Sequence, residues 1–247
     1  MVSFKKISFL LIASSLAFTN LTFAQFTGGA HLGLNASNLR GSSVENNSML
    51  LGYNIGGYAN LSTEEMFKGE FGKIFSLQLE LNVETKGATM DYPSIEKAED
   101  TSALTPNVSS SKINLTYVSV PIMAKFTFGD KKGLMYFVEA GFYGAGLFGV
   151  VVDGEKKYDH DFNPTTDMRN YRDDFDGYDY GAIFGGGASM PFGGRKSPWR
   201  GFGELRYSVG FSSIGEYREN TPESFEYYVK DINVSAISLV FGVSYSF

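Results

Sequence analysis

The sequence has no cysteine, one tryptophan, two histidines and only seven prolines among its 247 residues. Without cysteine, disulfide bonds and a lipid-modified cysteine behind a cleaved leader are both excluded. Positive charge is also scarce: 21 Lys and Arg stand against 27 Asp and Glu, which leaves a formal net charge of −6. Nucleic acids need basic surfaces to neutralise their phosphates, so we predict no nucleic-acid partner.

The chain also lacks an apolar run long enough for a membrane-spanning helix. Its N-terminal apolar stretch, residues 7–18, follows two lysines and precedes a small-residue site ending at Ala24. At roughly a dozen residues it is shorter than the ~20 that a spanning helix needs. A basic start, an apolar centre and a small-residue end are typical of a secretory signal peptide. We therefore predict a cleaved signal peptide over residues 1–24 and a single exported domain over 25–247.

An exported chain without such helices can span a membrane only as a closed β-barrel, because backbone groups in lipid must all be hydrogen-bonded. Gly, Phe and Tyr are abundant, and apolar residues recur at every second position, which is the strand period. In residues 74–85 one face holds Phe75, Leu77, Leu79, Leu81 and Val83, and the other holds Ser76, Gln78, Glu80, Asn82 and Glu84. Comparable patterns predict eight strands, within 25–37, 49–61, 74–85, 118–128, 134–150, 177–192, 199–211 and 232–247.

The connections between these strands alternate in length. The segments 62–73, 129–133 and 193–198 are comparatively short, and the others include the two longest, 87–112 and 152–176. Short periplasmic turns and long extracellular loops are typical of outer-membrane barrels. We predict an all-β, eight-stranded antiparallel up-and-down barrel with both termini in the periplasm. A soluble sandwich or lipocalin-like barrel would also alternate, but it would turn its apolar face inward.

The predicted inward face carries the charged residues. These are Glu80, Glu84, Lys125, Glu139, Glu204 and Arg206. Side chains fill the interior of an eight-stranded barrel, and opposite charges there should pair because a lone buried charge is costly. We predict a structural polar network, with Lys125–Glu139 as one pair and Arg206 with Glu80 or Glu204 as another. A narrow conduit or a proton-linked site is the alternative.

No catalytic, cofactor or metal site is predicted. The acidic stretch 152–180 could bind a divalent cation, or a partner through its tyrosines, but its spacing does not match an EF-hand loop. The two histidines, His31 and His160, have no spacing that indicates a serine partner. An enzyme needs a nucleophile and a base in reach of each other, and the sequence indicates neither.

Four segments resemble the PorT-like outer-membrane β-barrel family. They are the strand from Tyr117 through Pro121 to Lys125 and Phe126, the stretch Tyr136–Gly146, the stretch Gly203–Gly215, and the aromatic C-terminus. The resemblance implies an eight-stranded barrel in the outer membrane of a diderm bacterium and no defined activity. Members often carry a carboxylate where this chain has Ser119, so an ion pair built on that position is missing here.

These observations predict a non-enzymatic integral outer-membrane protein with an interaction, binding or envelope-structural role through its loops or periplasmic rim. A small ion or solute channel is one alternative, and a barrel enzyme acting on lipid or peptide is another. The expected partners are outer-membrane lipid, an unidentified envelope protein and the barrel assembly machinery. A terminal aromatic strand end, here Tyr245 and Phe247, resembles the signal that this machinery recognises. We expect a monomer.

Overall fold

The computed structural model describes residues 26–41, 47–95, 106–159, 168–170, 172, 175–194, 197–214 and 232–247. The predicted signal peptide, His160 and much of the acidic stretch lie outside the described residues. In chain order the elements are β1 (Phe26–Arg40), β2 (Asn47–Ser62), α1 (Glu70–Ile74), β3 (Phe75–Ile95), β4 (Pro106–Gly129), β5 (Met135–Val152), β6 (Lys157–Asp159), β7 (Met168–Asn170), β8 (Tyr178–Pro191), β9 (Trp199–Gly210) and β10 (Asn233–Ser246).

Eight of these strands form one closed barrel, which confirms the predicted fold class. Around the wall the order is β1-β10-β9-β8-β5-β4-β3-β2, and every neighbouring pair is antiparallel. The first and last strands pair along their whole length, from Thr27 opposite Ser246 to Arg40 opposite Asn233. Closure removes the open edges that a sheet would otherwise expose. The remaining strands, β6 and β7, pair with each other as a small hairpin between β5 and β8.

The wall is apolar outside, as the alternation predicts, and its interior is polar at mid-height. Towards the loop rim the interior instead holds a buried apolar cluster that includes Leu39, Leu115, Tyr117 and Leu147. Along β3, Leu77, Leu79, Leu81 and Val83 are exposed, and Gln78, Glu80 and Asn82 are buried. The same division runs through β4, β5, β9 and β10, so exposed Leu, Val, Ile, Phe and Tyr side chains form a continuous belt. A patch of that extent on the outside of a protein marks a membrane or protein contact surface.

The two ends of the barrel differ. We call the end that carries Phe26, Phe247 and the connections 63–74, 130–134 and 192–198 the turn rim, and the opposite end the loop rim. At the turn rim the Phe247 amide donates to the Phe26 carbonyl at 2.9 Å. The two phenyl rings lie 5.5 Å apart. Among the described residues, no helix is long and apolar enough to cross a membrane.

The prediction of a loop over residues 87–112 is wrong for most of that segment. β3 continues to Ile95 and β4 begins at Pro106, and their pairing runs without a break from Lys86–Leu115 to Ile95–Pro106. β2 pairs with β3 only as far as Met90, and β5 pairs with β4 only as far as Ile113. The two strands therefore extend past the wall as a ribbon, where the lipid-facing and lumen-facing alternation that identifies wall strands no longer applies.

Candidate functional site

Arg206 lies at the centre of the barrel interior and is 3% exposed. Its Nη1 and Nη2 donate to Glu80 Oε2 and Oε1 at 2.7 and 2.8 Å, which is a bidentate charge-assisted pair. Its Nε donates to Glu204 Oε1 at 2.6 Å. Three strands separate β9 from β3 in either direction around the wall. The Arg206–Glu80 pair therefore crosses the full lumen.

A second pair joins the first through an amide. Lys125 and Glu139 lie opposite each other on β4 and β5, and Lys125 Nζ is 3.2 Å from Glu139 Oε2. Lys125 Nζ also donates to Gln78 Oε1 at 3.1 Å, while Gln78 Nε2 donates to Glu80 Oε1 at 2.7 Å. Glu139 Oε1 lies 3.2 Å from Arg206 Nη2. We call Glu80, Lys125, Glu139, Glu204 and Arg206 the central cluster: three carboxylates around two cations.

A glycine in the wall makes room for this cluster. Gly185 on β8 lies opposite both Glu139 and Arg206 in the two flanking registers. A Cβ atom at this position would be 2.5 Å from Glu204 Oε1 and 3.2 Å from Glu139 Cγ. Any side chain at position 185 would therefore push against the carboxylates, so the close packing here favours glycine.

A second charged group lies closer to the loop rim. Lys86 Nζ is 3.0 Å from Glu84 Oε1 and 4.5 Å from the centre of the Tyr143 ring. The Tyr143 hydroxyl donates to Asp179 Oδ2 at 2.8 Å, and Ser212 Oγ donates to Asp179 Oδ1 at 2.6 Å. We call these five residues the loop-side cluster.

Of the loop-side cluster, Glu84 is the only residue in the predicted network. Lys86 could have been added from the sequence, because it continues the inward parity of Glu80 and Glu84. Asp179 has the parity of Gly185 on β8, but it stands in a run of acidic loop residues that hides the strand start. Tyr143 has the inward parity of Glu139 on β5, but nothing in the sequence indicates its partner Asp179.

His31 is linked to the loop-side cluster through one neutral side chain, that of Asn54. Its Nε2 is 3.0 Å from Asn54 Oδ1, and Asn54 Nδ2 donates to Glu84 Oε2 at 3.4 Å. Among the described residues, no serine is hydrogen-bonded to His31, whose partner is Asn54. Nor do those residues contain a group of three or more His, Asp or Glu able to hold a metal ion.

The three motif residues of β4 that carry the PorT-like resemblance, Tyr117, Pro121 and Lys125, point into the barrel, as does Ser119. Tyr117 is fully buried, Ser119 is 1% exposed, and Pro121 is buried. Proline has no N–H to donate, and the β3–β4 pairing is interrupted beside it: the register stops at Leu79–Ile122 and resumes unchanged at Asn82–Ser119.

A small cavity of about 10 Å³ lies beside Ser119 and Asn82, next to the central cluster. Within the described part of the chain, Ser119 Oγ and Asn82 Oδ1 have no hydrogen-bond partner. The space suits about one water molecule, which could satisfy both atoms. Nothing of the size of a solute fits there.

The terminal aromatic residues form a chain of ring contacts at the turn rim. The Tyr245 ring lies 5.0 Å from the Trp199 ring and 4.9 Å from the Phe247 ring. Phe247 remains 76% exposed, so its packing contributes little to the folded barrel.

A closed barrel with an apolar outer belt and a charged, filled interior defines the class of integral membrane β-barrels. The chain belongs to the family described as outer membrane protein beta-barrel domain, whose model matches residues 23–216. It is thus an integral outer-membrane barrel. No curated protein sequence matches it.

Several solved outer-membrane barrels are similar in structure at low identity. Ail, the attachment invasion locus protein of Yersinia pestis in complex with sucrose octasulfate, shares 11% identity at a TM-score of 0.40, covering 90% of this chain and 99% of Ail. Neisserial surface protein A shares 11% identity at a TM-score of 0.46, with 90% and 97% covered. OprG from Pseudomonas aeruginosa shares 9% identity at a TM-score of 0.45, with 91% and 95% covered.

Proposed function

We propose that the chain is a non-enzymatic outer-membrane barrel that stays closed to solutes and acts through contacts made at its loop rim. The Arg206–Glu80 pair carries this proposal, because the two side chains meet across the lumen, with distances of 2.7 and 2.8 Å between the Arg206 Nη and Glu80 Oε atoms. Both residues are almost fully buried and bound to further polar partners. A solute could pass only if these charges separated inside a low-dielectric lumen, which is costly.

The ribbon formed by the ends of β3 and β4 supports a role in interaction. Among the described residues, no strand pairs with the outer edge of 91–95 or of 106–111, whereas the backbone of Lys112 is hydrogen-bonded to Asp153. An exposed strand edge offers backbone donors and acceptors in a row, and a partner strand can bind to it. We propose that this ribbon stands outside the cell and binds a surface or envelope protein.

The remaining predictions assume this orientation, with the loop rim outside the cell and the turn rim in the periplasm. We expect residues 1–24 to be cleaved on export and both termini to face the periplasm. The assembly machinery is expected to recognise the strand end at Tyr245 and Phe247. Because closure leaves no edge in the wall, a monomer is favoured. We assign no secretion-system role to the PorT-like resemblance.

Planar-bilayer recording separates this proposal from the channel alternative. The purified barrel should give no stable conductance steps, since the central cluster blocks the lumen. Reproducible steps from the unmodified protein would support the channel instead. Arg206→Ala serves as the comparison, because removing the cross-lumen clamp should raise the frequency of openings if the cluster is the block.

The cysteine-free chain allows a direct test of orientation and of the ribbon. Ser94→Cys in the ribbon should react with a membrane-impermeant maleimide on intact cells, and Ser197→Cys at the turn rim should react only after permeabilisation. A photo-crosslinker at position 94 should then give discrete protein adducts that one at Lys156 does not. Labelling in the reverse order would refute the orientation, and a lack of adducts would refute the binding role.

A further inference from the structure

The connection between β2 and β3 holds three large apolar side chains that the fold leaves exposed. Met66, Phe67 and Phe71 are 66%, 46% and 50% exposed. A connection in water normally carries polar residues at such positions, and exposed apolar patches mark contact surfaces. We call these three side chains the turn-rim apolar patch.

The patch is held in place by ordered backbone. The amides of Met66 and Phe67 donate to the Thr63 carbonyl at 3.0 and 2.9 Å, and Thr63 Oγ1 donates to the Phe75 carbonyl at 3.0 Å. Gly72 lies directly beneath the Phe67 carbonyl, where any Cβ atom would collide. The side chains are therefore presented in a fixed arrangement before any partner binds.

The patch continues the lipid-facing belt of the barrel. The Phe71 ring lies 5.1 Å from the Phe75 ring and 6.2 Å from the Phe126 ring. Phe75 and Phe126 pair across β3 and β4 with their rings 5.2 Å apart. Next to them on the outward face of β3 stands the exposed Leu77. No polar side chain interrupts the row from Leu77 through Phe75 to Phe71.

Charged side chains of both signs surround the patch in the chain. Lys68 and Lys73 are exposed, as are Glu65 and Glu70. Lys73 Nζ donates to Glu70 Oε1 at 2.7 Å, a contact that lowers the pKa of the exposed Glu70 carboxyl. Lys131 in the next turn reaches Glu64 Oε2 at 3.2 Å and ties the two turns together. Aromatic residues at the lipid boundary with lysines reaching outward are the arrangement that suits a headgroup layer.

We propose that the β2–β3 connection, residues 63–74, is an interfacial anchor for the phospholipid leaflet on the turn side. Met66, Phe67 and Phe71 lie at the boundary between acyl chains and headgroups, and Lys68 and Lys73 bind headgroup phosphates. Lipid is the occupant because the patch is continuous with the lipid-facing wall. A periplasmic protein could bind the patch even if the patch were separate from the lipid-facing wall, so the continuity of the two surfaces favours lipid.

A tryptophan placed in the patch reports its depth. Phe71→Trp is made in a Trp199→Phe background and reconstituted in vesicles of phosphatidylethanolamine and phosphatidylglycerol. Bromine atoms near the headgroups should quench it more than bromine atoms near the chain ends, and aqueous iodide should quench it weakly. Phe241→Trp in the belt is the buried-in-lipid control, and Lys156→Trp at the loop rim is the aqueous control.

Emission from Phe71→Trp that matches the Lys156→Trp control would overturn the proposal and leave a periplasmic protein as the occupant. The charge requirement has its own test, which is the amount of phosphatidylglycerol retained by the detergent-purified barrel in native mass spectrometry. Lys68→Ala and Lys73→Ala together should reduce retention, by roughly fivefold for each lysine. The loop-rim pair Lys112→Ala and Lys156→Ala should leave it unchanged, and equal losses in both pairs would refute a specific role for the turn.

Discussion

Arg206 and Glu80 meet across the full diameter of the barrel, from strands separated by three others in both directions. Their pair fastens opposite sides of the wall to each other. It also makes each charge dependent on the other, because neither is exposed enough to be solvated by bulk water.

Removing Arg206 should therefore be among the most damaging single changes to the barrel. Arg206→Ala leaves three carboxylates facing Lys125 alone, and we expect the free energy of unfolding to fall by about 3–5 kcal/mol. Urea titration of the barrel in lipid vesicles measures it. Lys131→Ala, which breaks an exposed pair with Glu64, is the control and should cost no more than about 1 kcal/mol.

The acids of the central cluster should not be equivalent. Glu80 holds both Nη atoms of Arg206, so Glu80→Gln should cost about 3 kcal/mol. Glu204→Gln keeps a side chain of the same shape and relieves the excess of carboxylates over cations. We expect it to change the unfolding free energy by less than about 1 kcal/mol. A larger loss from Glu204→Gln than from Glu80→Gln would contradict the charge balance described for the cluster.

The space above Gly185 can be tested with a single methyl group. Gly185→Ala places a Cβ against Glu204 Oε1 and should cost about 1–3 kcal/mol, because the carboxylates must shift. Gly144 on β5 has nothing within 4 Å of the corresponding position. Gly144→Ala is therefore the matched control, with an expected change within about 0.5 kcal/mol. Equal costs at both glycines would indicate a general strand effect.

Phe247 should matter for assembly in cells more than for stability. The side chain is largely exposed, so Phe247→Ala should leave the heat-modifiable gel shift of the refolded barrel unchanged. If the terminal aromatic is an assembly signal, the same variant should reach the outer membrane more slowly in pulse-chase fractionation. Phe211→Ala, an exposed aromatic at the loop rim, controls for the loss of a lipid-facing ring. Normal kinetics for Phe247→Ala would remove the proposed signal.

The alternation of polar and apolar residues is enough to predict the wall. Each residue of the central cluster either has a polar residue two positions away on its own strand or has one directly opposite on the neighbouring strand. The alternation also indicates Lys125–Glu139, because a short turn makes β4 and β5 neighbours. For Arg206 the sequence allows either Glu80 or Glu204 as the partner, and in the structure Arg206 binds both. Strand number decides which strands face each other across a closed barrel. With eight strands in chain order the third and the seventh are opposite, so the predicted topology already allows the Arg206–Glu80 pair, but the hydrogen-bond geometry depends on strand stagger and side-chain conformation.

The ribbon and α1 were missed for a different physical reason. Strand alternation reports a boundary between lipid and lumen, and the ribbon extends past that boundary. α1 is five residues long, too short for a helical period to be visible, and Gly69 before it and Gly72 within it are typical of turns. The role of Gly185 is not visible in the sequence, because the carboxylates that it accommodates come from other strands.

The distribution of charge around the wall bears on the closure of the barrel. The buried inward residues of β1 and β10, the two strands that close the barrel, include Asn35, Ser37, Ser238 and Val240, and His31 is the one titratable side chain among them. The central cluster instead draws on β3, β4, β5 and β9. Pairing of β1 with β10 therefore buries no formal charge of these two strands, whereas the Arg206–Glu80 contact requires β3 and β9 to stand on opposite sides of the closed barrel.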